Sequence, residues 1–307
     1  MDIKKENRAI EILKTFEPSD SEYYVCYSGG KDSDVIRILC QLAGVKHSLH
    51  YQYTTADAPE TVYYVRSVGG VQMEHSRYSD GSFKTMWNLI PRKGFPPTRL
   101  IRYCCSNLKE SAGRGLLKVT GVRWAESNNR KNNADTVGIW SSNKKIKQLF
   151  ERSSRQYRIN KSGGIILNYD NETARDDSDI VHQCFQDHSV TINPIIDWTD
   201  RDVWEFLLHY GCTGNPLYSC GFSRVGCIGC PLGGSRSMER EFARYPRFKS
   251  MYIHAFDRML QNSKTLTNWK SGVDVFNWWI GDDTIEGQLS FFDEEEPYNF
   301  DEVLEVL

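Results

Sequence analysis

Apolar positions near the N-terminus follow two different periods. Within residues 5–16 four apolar side chains recur at three- or four-residue spacing, which predicts an amphipathic helix. Residues 23–27 read YYVCY, an uninterrupted run of β-forming residues that is typical of a strand covered on both faces. A glycine turn and the apolar positions of residues 35–42 then predict a second helix. The chain therefore opens with a helix followed by a strand–turn–helix unit.

Strand and helix patterns continue to alternate beyond this unit. Extended runs cover residues 48–54, 116–122 and 192–196, and a weaker one covers residues 165–167. Thr199 begins an S/T-x-x-D capping signature, so a further helix is expected after it. Because strands that alternate with helices build βαβ units, the pattern predicts a Rossmann-like α/β fold with a mostly parallel sheet flanked by helices.

Changes in composition divide the chain. Residues 131–190 hold a long polar stretch that we interpret as an insertion, and the chain beyond Pro231 is helical in pattern and rich in aromatic residues. We therefore predict a main domain over residues 1–235 and a helical C-terminal extension over residues 236–307. The extension ends in an acidic tail, because residues 281–307 carry ten Asp and Glu and no Lys or Arg.

Charge is distributed unevenly along the chain. The formal net charge is −2, yet residues 1–280 hold 38 basic against 30 acidic residues. A basic cluster over residues 144–161 adds to this asymmetry. Such runs are usually only solvated, but they also contact polyanions, so a nucleic-acid partner is one prediction.

Composition restricts the class of protein. The chain is 39% hydrophobic and 25% charged, which excludes a disordered or collagen-like chain. No apolar run approaches the ~20 residues of a membrane span, and the N-terminus is charged where a signal peptide would be apolar. Together with nine cysteines, these features lead us to expect a cytoplasmic protein with no membrane partner, whose cysteines bind metal or stay reduced.

A glycine-rich loop follows the first predicted strand. It consists of Ser28, Gly29, Gly30, Lys31, Asp32 and Ser33. The glycines allow a sharp turn with amides against an anion, and the next helix directs its N-terminal amides to the same place. The serine hydroxyls add donors and the lysine adds positive charge. The spacing differs from the Walker pattern, and the loop predicts a phosphate site at the carboxyl end of a strand.

This loop, SGGKDS, resembles the SGGxDS loop of the pyrophosphate-loop ATP pyrophosphatases and of the related phosphoadenosine-phosphosulfate reductase family. Further segments resemble that family in the same order, namely Thr54–Thr61 ending in P-E-T, Cys104-Cys105 with Lys109, Gly121–Arg130, Asn193–Trp198 with Asp202–Trp204, Asn215–Tyr218 and Gly226–Pro231. The resemblance runs from about residue 22 to 233. It implies an adenine nucleotide α-hydrolase-like fold that binds ATP or another adenine nucleotide with Mg²⁺, and it makes residues 1–235 a pyrophosphate-loop nucleotide-binding domain.

The resemblance also implies which residues bind the nucleotide. They are Ser28, Gly29, Gly30, Lys31, Asp32, Ser33, Thr55, Asp57, Arg123, Glu126, Ser127 and Arg130, with Lys31 and Arg123 as catalytic residues. Guanidinium groups at the end of a strand bind phosphate in bidentate fashion and stabilise a transferring group. An ordinary ion pair with Glu126 is the alternative for Arg123. Asp57 is a candidate for the ribose or a Mg²⁺-bound water, or for a cap on the helix that starts near Pro59.

Two cysteine pairs form the second chemical feature. A C-x-x-C pair alone is compatible with zinc, an iron–sulfur cluster, redox chemistry or no metal. In assimilatory adenylylsulfate reductases a tandem pair and a C-x-x-C pair hold one [4Fe–4S] cluster. The resemblance therefore implies four ligands, Cys104, Cys105, Cys227 and Cys230, with zinc or reduced thiols as alternatives. The segment from Cys220 to Cys230 also resembles that of DNA phosphorothioation sulfurtransferases, so Cys220 is a substitute ligand or a sulfur carrier.

Three functions are compatible with this resemblance. The first is ATP pyrophosphatase-type adenylation coupled to [4Fe–4S]-assisted sulfur transfer, with a sulfur-donor protein as a possible partner. The second is a sulfonucleotide (adenylylsulfate) reductase, whose family nucleophile lies in a C-terminal E-C-G-[IL]-H segment; the last cysteine here is Cys230, which favours the first function. The third is a non-catalytic, nucleotide-binding regulatory subunit or a subunit of a DNA-modification complex.

Overall fold

The computed structural model describes residues 2–110, 112–140, 157–170, 172, 177–178, 181–182, 189–262 and 269–281. It divides into two compact units. The first comprises Met1–Tyr51, Tyr63–Met73 and Gly113–Pro216, and the second comprises Gln52–Val62, Glu74–Ala112 and Leu217–Leu307. The domain boundary near residue 235 stays a prediction. The acidic tail beyond Gly281, most of the basic cluster (residues 144–156) and Cys184 lie outside the described residues.

The elements alternate as the sequence pattern predicts. The strands are β1 (Tyr23–Cys26), β2 (His47–Gln52), β3 (Val71–Glu74), β4 (Leu117–Val119), β5 (Val137–Trp140), β6 (Arg158–Ile159), β7 (Ile165–Leu167) and β8 (Ser189–Ile192). The helices are α1 (Ile3–Thr15), α2 (Lys31–Ala43), α3 (Pro59–Ser67), α4 (Met86–Lys93), α5 (Tyr103–Leu108), α6 (Asn128–Asn133), α7 (Asp200–His209), α8 (Gly234–Arg244), α9 (Pro246–Asn262) and α10 (Gly272–Ile280).

The strands form one sheet in the order β3-β2-β1-β4-β8-β5-β7-β6. β1 pairs in parallel with β2 and β4, and β4 pairs in parallel with β8. β5, β6 and β7 extend the sheet in antiparallel fashion. The predicted α/β class with a mostly parallel sheet is therefore confirmed. The chain runs from β1 to one side and returns to the other side at β4, so a switch point lies between β1 and β4.

Two local predictions differ from the structure. The strand expected at residues 192–196 instead ends at Ile192, and the amide of Ile196 donates to the Asn193 carbonyl in the turn that follows. Pro194 has no N–H for a sheet ladder, which explains why the strand stops there. The polar stretch of residues 131–190 supplies β5 and β6, which were not predicted because their apolar runs are too short to stand out among polar residues. The same stretch supplies β7, which matches the weaker strand predicted at residues 165–167.

The second unit has an aromatic helical core. Residues of α8, α9 and α10 contribute buried rings, among them Phe242, Tyr252, Phe256 and Phe276, and α4 adds buried aliphatic side chains. Trp279 is also buried, and its indole Nε1 donates to the Pro97 carbonyl at 2.6 Å. Within the described residues 236–262 and 269–281, the predicted C-terminal extension is therefore confirmed as helical. In the part of the chain that the structure describes, no helix is long and apolar enough to cross a membrane.

Candidate functional sites

The glycine-rich loop in the first unit turns between β1 and α2. Gly29 has φ 71°, a left-handed conformation that favours glycine. The hydroxyl of Ser33 donates to the Gly30 carbonyl at 2.7 Å and accepts from the Gly30 amide at 3.1 Å. The hydroxyl of Ser28 donates to Ser33 at 3.3 Å, and the Asn215 amide group donates to the Gly29 carbonyl at 3.0 Å. The loop is therefore shaped by its own serines and by a buried asparagine.

A second glycine allows β4, the strand beside the glycine-rich loop, to approach α2 closely. Gly121 follows β4, and a Cβ added there would lie 2.9 Å from Asp32 Cβ and 3.0 Å from its backbone carbonyl atoms. Real Cβ atoms do not approach so closely, so a larger residue would push the start of α2 away. This contact accounts for the glycine of the segment Gly121–Arg130. It also places the loop after β4 beside the loop after β1, at the switch point.

A buried arginine connects this loop to the start of α7. The guanidinium of Arg123 donates from Nε to Asp32 Oδ1 at 2.7 Å and from Nη2 to Asp200 Oδ1 at 2.8 Å. Its Nη1 donates to the Trp198 carbonyl at 3.2 Å. Lys31 Nζ lies 3.4 Å from Asp200 Oδ1 and 3.7 Å from Asp32 Oδ2. We call Lys31, Asp32, Arg123 and Asp200 the charge quartet, in which two cations balance two carboxylates.

The quartet influences the ionisation of Asp200. Partial burial acts to raise the pKa of its carboxyl, but Lys31 and then Arg123 act in the opposite direction and prevail, so the pKa lies below its usual range. Asp200 is therefore ionised at neutral pH. Sequence reasoning treated it only as part of the capping signature. It lies between two segments that resemble the family, Asn193–Trp198 and Asp202–Trp204, and this position was the one signal that pointed to it.

The remaining residues that were predicted in the segment Gly121–Arg130 lie at the surface. Glu126 Oε2 is 3.3 Å from Arg130 Nε, which is an exposed i,i+4 ion pair. The hydroxyl of Ser127 accepts from the Arg130 amide at 3.2 Å and caps α6. The ion pair expected between Arg123 and Glu126 is replaced by the bonds of Arg123 to Asp32 and Asp200. Glu126, Ser127 and Arg130 remain predicted nucleotide contacts.

Thr55 and Asp57 belong to the second unit. Asp57 Oδ2 accepts from the Thr54 amide at 2.7 Å, and the Cys227 thiol lies 3.8 Å from its Oδ1. The Thr55 hydroxyl accepts from the Met86 amide at 3.0 Å. Thr55 has φ 67°, a strained conformation for a β-branched residue. The structure therefore associates Asp57 with the cysteine segment.

The four predicted cluster ligands also lie in the second unit. Cys104 and Cys105 are on α5, whereas Cys227 and Cys230 flank a turn. A hydrogen bond attaches this turn to the rest of the unit, in which the Ile228 amide donates to the Ala56 carbonyl at 2.7 Å. The Cys104 thiol donates to Cys105, which raises the pKa of Cys104 and lowers the pKa of Cys105. Burial raises the pKa of Cys227 to about 11.

A positive charge near these thiols would stabilise an anionic group bound to them. The Lys109 ammonium bonds to Cys227 and lies near Asp57 and Cys105, and the Cys227 sulfur is the largest influence that raises the pKa of Lys109. Four cysteine sulfurs are the ligand set that iron–sulfur clusters take, and here a lysine lies among them. The chemistry of the donors therefore fits a [4Fe–4S] cluster. Within the described ranges, no three Cys, His, Asp or Glu side chains converge closely enough to form a preformed metal site.

Cys220 has different neighbours. It is exposed at the end of a 3₁₀ turn, and Arg244 Nη2 lies 3.6 Å from its sulfur. The same guanidinium pairs with Glu60 Oε1 at 2.9 Å, and the Tyr245 hydroxyl donates to Glu60 Oε2 at 2.8 Å. Its role as a substitute ligand or a sulfur carrier stays a prediction.

Comparison with known proteins places the chain in a family. A sequence profile of the phosphoadenosine phosphosulfate reductase domain matches residues 22–232, which is more than half of the chain. The chain therefore belongs to the phosphoadenosine phosphosulfate reductase domain family. The predicted resemblance is confirmed.

Individual relatives are more distant. The uncharacterized protein MJ0973 of Methanocaldococcus jannaschii is 24% identical over 83% of this chain and 53% of its own length. The phosphoadenosine 5′-phosphosulfate reductase of Xylella fastidiosa strain M12 is 36% identical over 21% of this chain and 27% of its own length. The chain thus spans about half or less of the length of these curated relatives. Among solved structures, Candida glabrata FMN adenylyltransferase in complex with FAD and inorganic pyrophosphate is similar at a TM-score of 0.38 and 13% identity, over 74% of this chain and 62% of the other.

Proposed function

We propose that this protein is a nucleotide-dependent enzyme that binds ATP at the Ser28–Ser33 loop and adenylates an acceptor with release of pyrophosphate. The observation that carries the proposal is the position of this loop. It lies between β1 and α2, beside the switch point of a mostly parallel sheet, with the N-terminus of α2 and Lys31 next to it. Helix N-termini and nearby lysines are the groups that stabilise phosphate in proteins.

The reaction requires little covalent chemistry from the protein. An acceptor oxygen attacks the α-phosphorus, and the bond from that phosphorus to the oxygen bridging to the β-phosphorus breaks. Pyrophosphate leaves with the electron pair, and the acceptor proton passes to solvent. The loop amides and Lys31 offset the charge that grows on the leaving pyrophosphate. Mg²⁺ bound with the nucleotide supplies further charge neutralisation.

The Arg123 side chain has a positioning role in this proposal. Its guanidinium already holds Asp32, Asp200 and the Trp198 carbonyl, and only 2% of the side chain is exposed. A buried group with three bonds is suited to fixing the loop against α7 rather than to meeting the transferring phosphate. The catalytic role predicted from the sequence therefore passes to Lys31 alone.

We further propose that Cys104, Cys105, Cys227 and Cys230 hold a [4Fe–4S] cluster. When bound, the cluster would supply a redox-active, sulfur-binding centre for sulfur transfer to the adenylated acceptor. Lys109 would offset its negative charge. A sulfur-donor protein and a nucleic acid stay possible partners of this reaction.

The cluster is testable by composition. Protein purified without oxygen should contain about four iron and four sulfide per chain. Cys227→Ser should lose most of the iron, whereas Cys220→Ser, which changes an exposed thiol bonded to Arg244, should keep it. Colourless protein with stoichiometric zinc would contradict the proposal. Loss of iron in both variants would make Cys220 a ligand.

The reaction is testable by offering two substrates separately under anaerobic conditions. With ATP we expect pyrophosphate, and Lys31→Ala should lower its release by about a hundredfold because one phosphate-stabilising charge is removed. Lys14→Ala makes the same change on an exposed position of α1 and should leave the rate unchanged.

The same assay decides between the alternatives. Sulfite from adenylylsulfate would instead favour a sulfonucleotide reductase, the second candidate, which is motivated by the reductases among the relatives. Binding of ATP with no product from either substrate would favour the hypothesis that the protein is a non-catalytic regulatory subunit.

A further inference from the structure

The carboxylate of Asp200 holds both cations that would attract a phosphate chain at the loop. Its Oδ1 lies 2.8 Å from Arg123 Nη2 and 3.4 Å from Lys31 Nζ. Asp32 contacts the same two cations at 2.7 and 3.7 Å. The quartet is therefore neutral as a group before any nucleotide binds. A bare triphosphate gains little from two cations whose charge is already balanced.

Exposure within the quartet is uneven. The side chains of Asp32 and Asp200 are 23% and 39% exposed, whereas those of Arg123 and Lys31 are 2% and 11% exposed. Solvent and ligands therefore reach the carboxylates more readily than the cations. An approaching anion first meets negative charge and is repelled. A divalent cation first meets two oxygen ligands of the kind that Mg²⁺ prefers.

We propose that Asp200 determines which form of the nucleotide this site accepts, and that it makes the site select metal-complexed ATP over metal-free ATP. The inference rests on the proposed binding of ATP at the Ser28–Ser33 loop. The charge of Asp32 and Asp200 is offset by the divalent cation of the incoming complex. Lys31 then exchanges a carboxylate for a phosphate oxygen, while Arg123 keeps the loop in place.

A merely structural role does not require the charge of Asp200. The cap of α7 is supplied by Thr199, whose hydroxyl accepts from the Asp202 amide, and the Asp202 carboxylate accepts from the Thr199 amide in return. Asp200 follows this capping box as the first helical residue. Asparagine has nearly the same shape and retains an oxygen that accepts from Arg123. Asp200→Asn therefore removes the charge and little else.

The test is equilibrium binding of ATP by calorimetry, once with EDTA and once with Mg²⁺. Wild-type protein should bind ATP at least tenfold more tightly with Mg²⁺. Asp200→Asn should bind metal-free ATP about tenfold more tightly than wild type, and its gain from Mg²⁺ should shrink by a similar factor. Asp200→Glu keeps the charge and should retain the preference for the metal complex.

Asp197→Asn is the matched control. It removes a carboxylate three residues away that pairs with Arg8 at 2.7 Å, outside the quartet, and should leave both affinities unchanged. If Asp200→Asn weakens both forms of ATP equally, or leaves their ratio unchanged, the inference is wrong although the binding function stands. If wild-type protein binds ATP under neither condition, the proposed function fails as well. If Asp200→Asn no longer shows a cooperative thermal unfolding transition, Asp200→Ser replaces it. The same change in the ratio of the two ATP affinities is expected for Asp200→Ser.

Discussion

Arg123→Met should lower the free energy of unfolding of the first unit by about 3 kcal/mol. The substitution removes three hydrogen bonds from a side chain that is 2% exposed. It also leaves Asp32 and Asp200 facing each other with Lys31 as their remaining partner in the quartet. Removing one partner of a buried ion pair costs this much or more, and the partial exposure of Asp32 and Asp200 keeps the expected loss at the lower end of the range.

Urea unfolding of the full chain, followed by circular dichroism, measures the effect. The matched control is Arg130→Met, which removes the same charge from an exposed pair with Glu126 and should cost less than about 0.5 kcal/mol. Arg123→Lys keeps the charge but lacks the planar set of donors, so an intermediate loss is expected. A loss below about 1 kcal/mol for Arg123→Met would mean that the quartet does not hold the loop to α7.

Gly229→Ala should destabilise the second unit by about 2–4 kcal/mol. Gly229 lies between the two cysteines of the C-x-x-C pair and has φ 69°, which strains any residue with a Cβ. A Cβ there would lie 2.5 Å from Phe242 Cζ, 3.0 Å from Trp279 Cη2 and 3.2 Å from Tyr252 Cε2. These rings pack against one another in the aromatic core, so none moves without disturbing the others.

Gly226→Ala is the matched control in the same loop. A Cβ at Gly226 meets only the end of the flexible Arg224 side chain, at 3.5 Å, so we expect a change within about 0.5 kcal/mol. Thermal melts compare the two variants, and their iron content shows whether the turn also sets the cysteine positions. Equal stability of the two variants would mean that the aromatic core accommodates the added methyl group.

The sequence pattern predicted the elements around the loop well. The β-forming run at residues 23–27, the glycine turn and the helix after it appear as β1, the loop and α2. Local patterns are sufficient here because a buried parallel strand is apolar on both faces and because capping residues mark the start of a helix in the sequence. The short strands β5 and β6 were not predicted, whereas β7 was predicted weakly at residues 165–167, because strands of two to four residues depend on pairing within the sheet.

The partners of the site residues were less predictable. Arg123 was expected to meet phosphate or Glu126, three residues away. It bonds instead to Asp32 and Asp200, which are 91 and 77 residues away in the chain. Asp57 was a candidate for the nucleotide or for a helix cap; its carboxylate contacts Thr54 and Cys227, and its nucleotide role stays a prediction. Spacing along the chain carries no information about such pairs, because the order of the strands brings them together.

Motifs and periodicity alone were therefore enough to identify the family and the α/β class and to single out the glycine-rich loop, since each depends on residues that are close in sequence. The balance of charge at that loop was not accessible in this way. It arises because parallel pairing of β1 with β4 brings Gly121 against α2 and lets the Arg123 guanidinium reach two carboxylates from different elements. Folding thus places Arg123, a predicted phosphate contact, in ion pairs with Asp32 and Asp200, and it makes an aspartate at a helix start the residue that we propose selects the substrate.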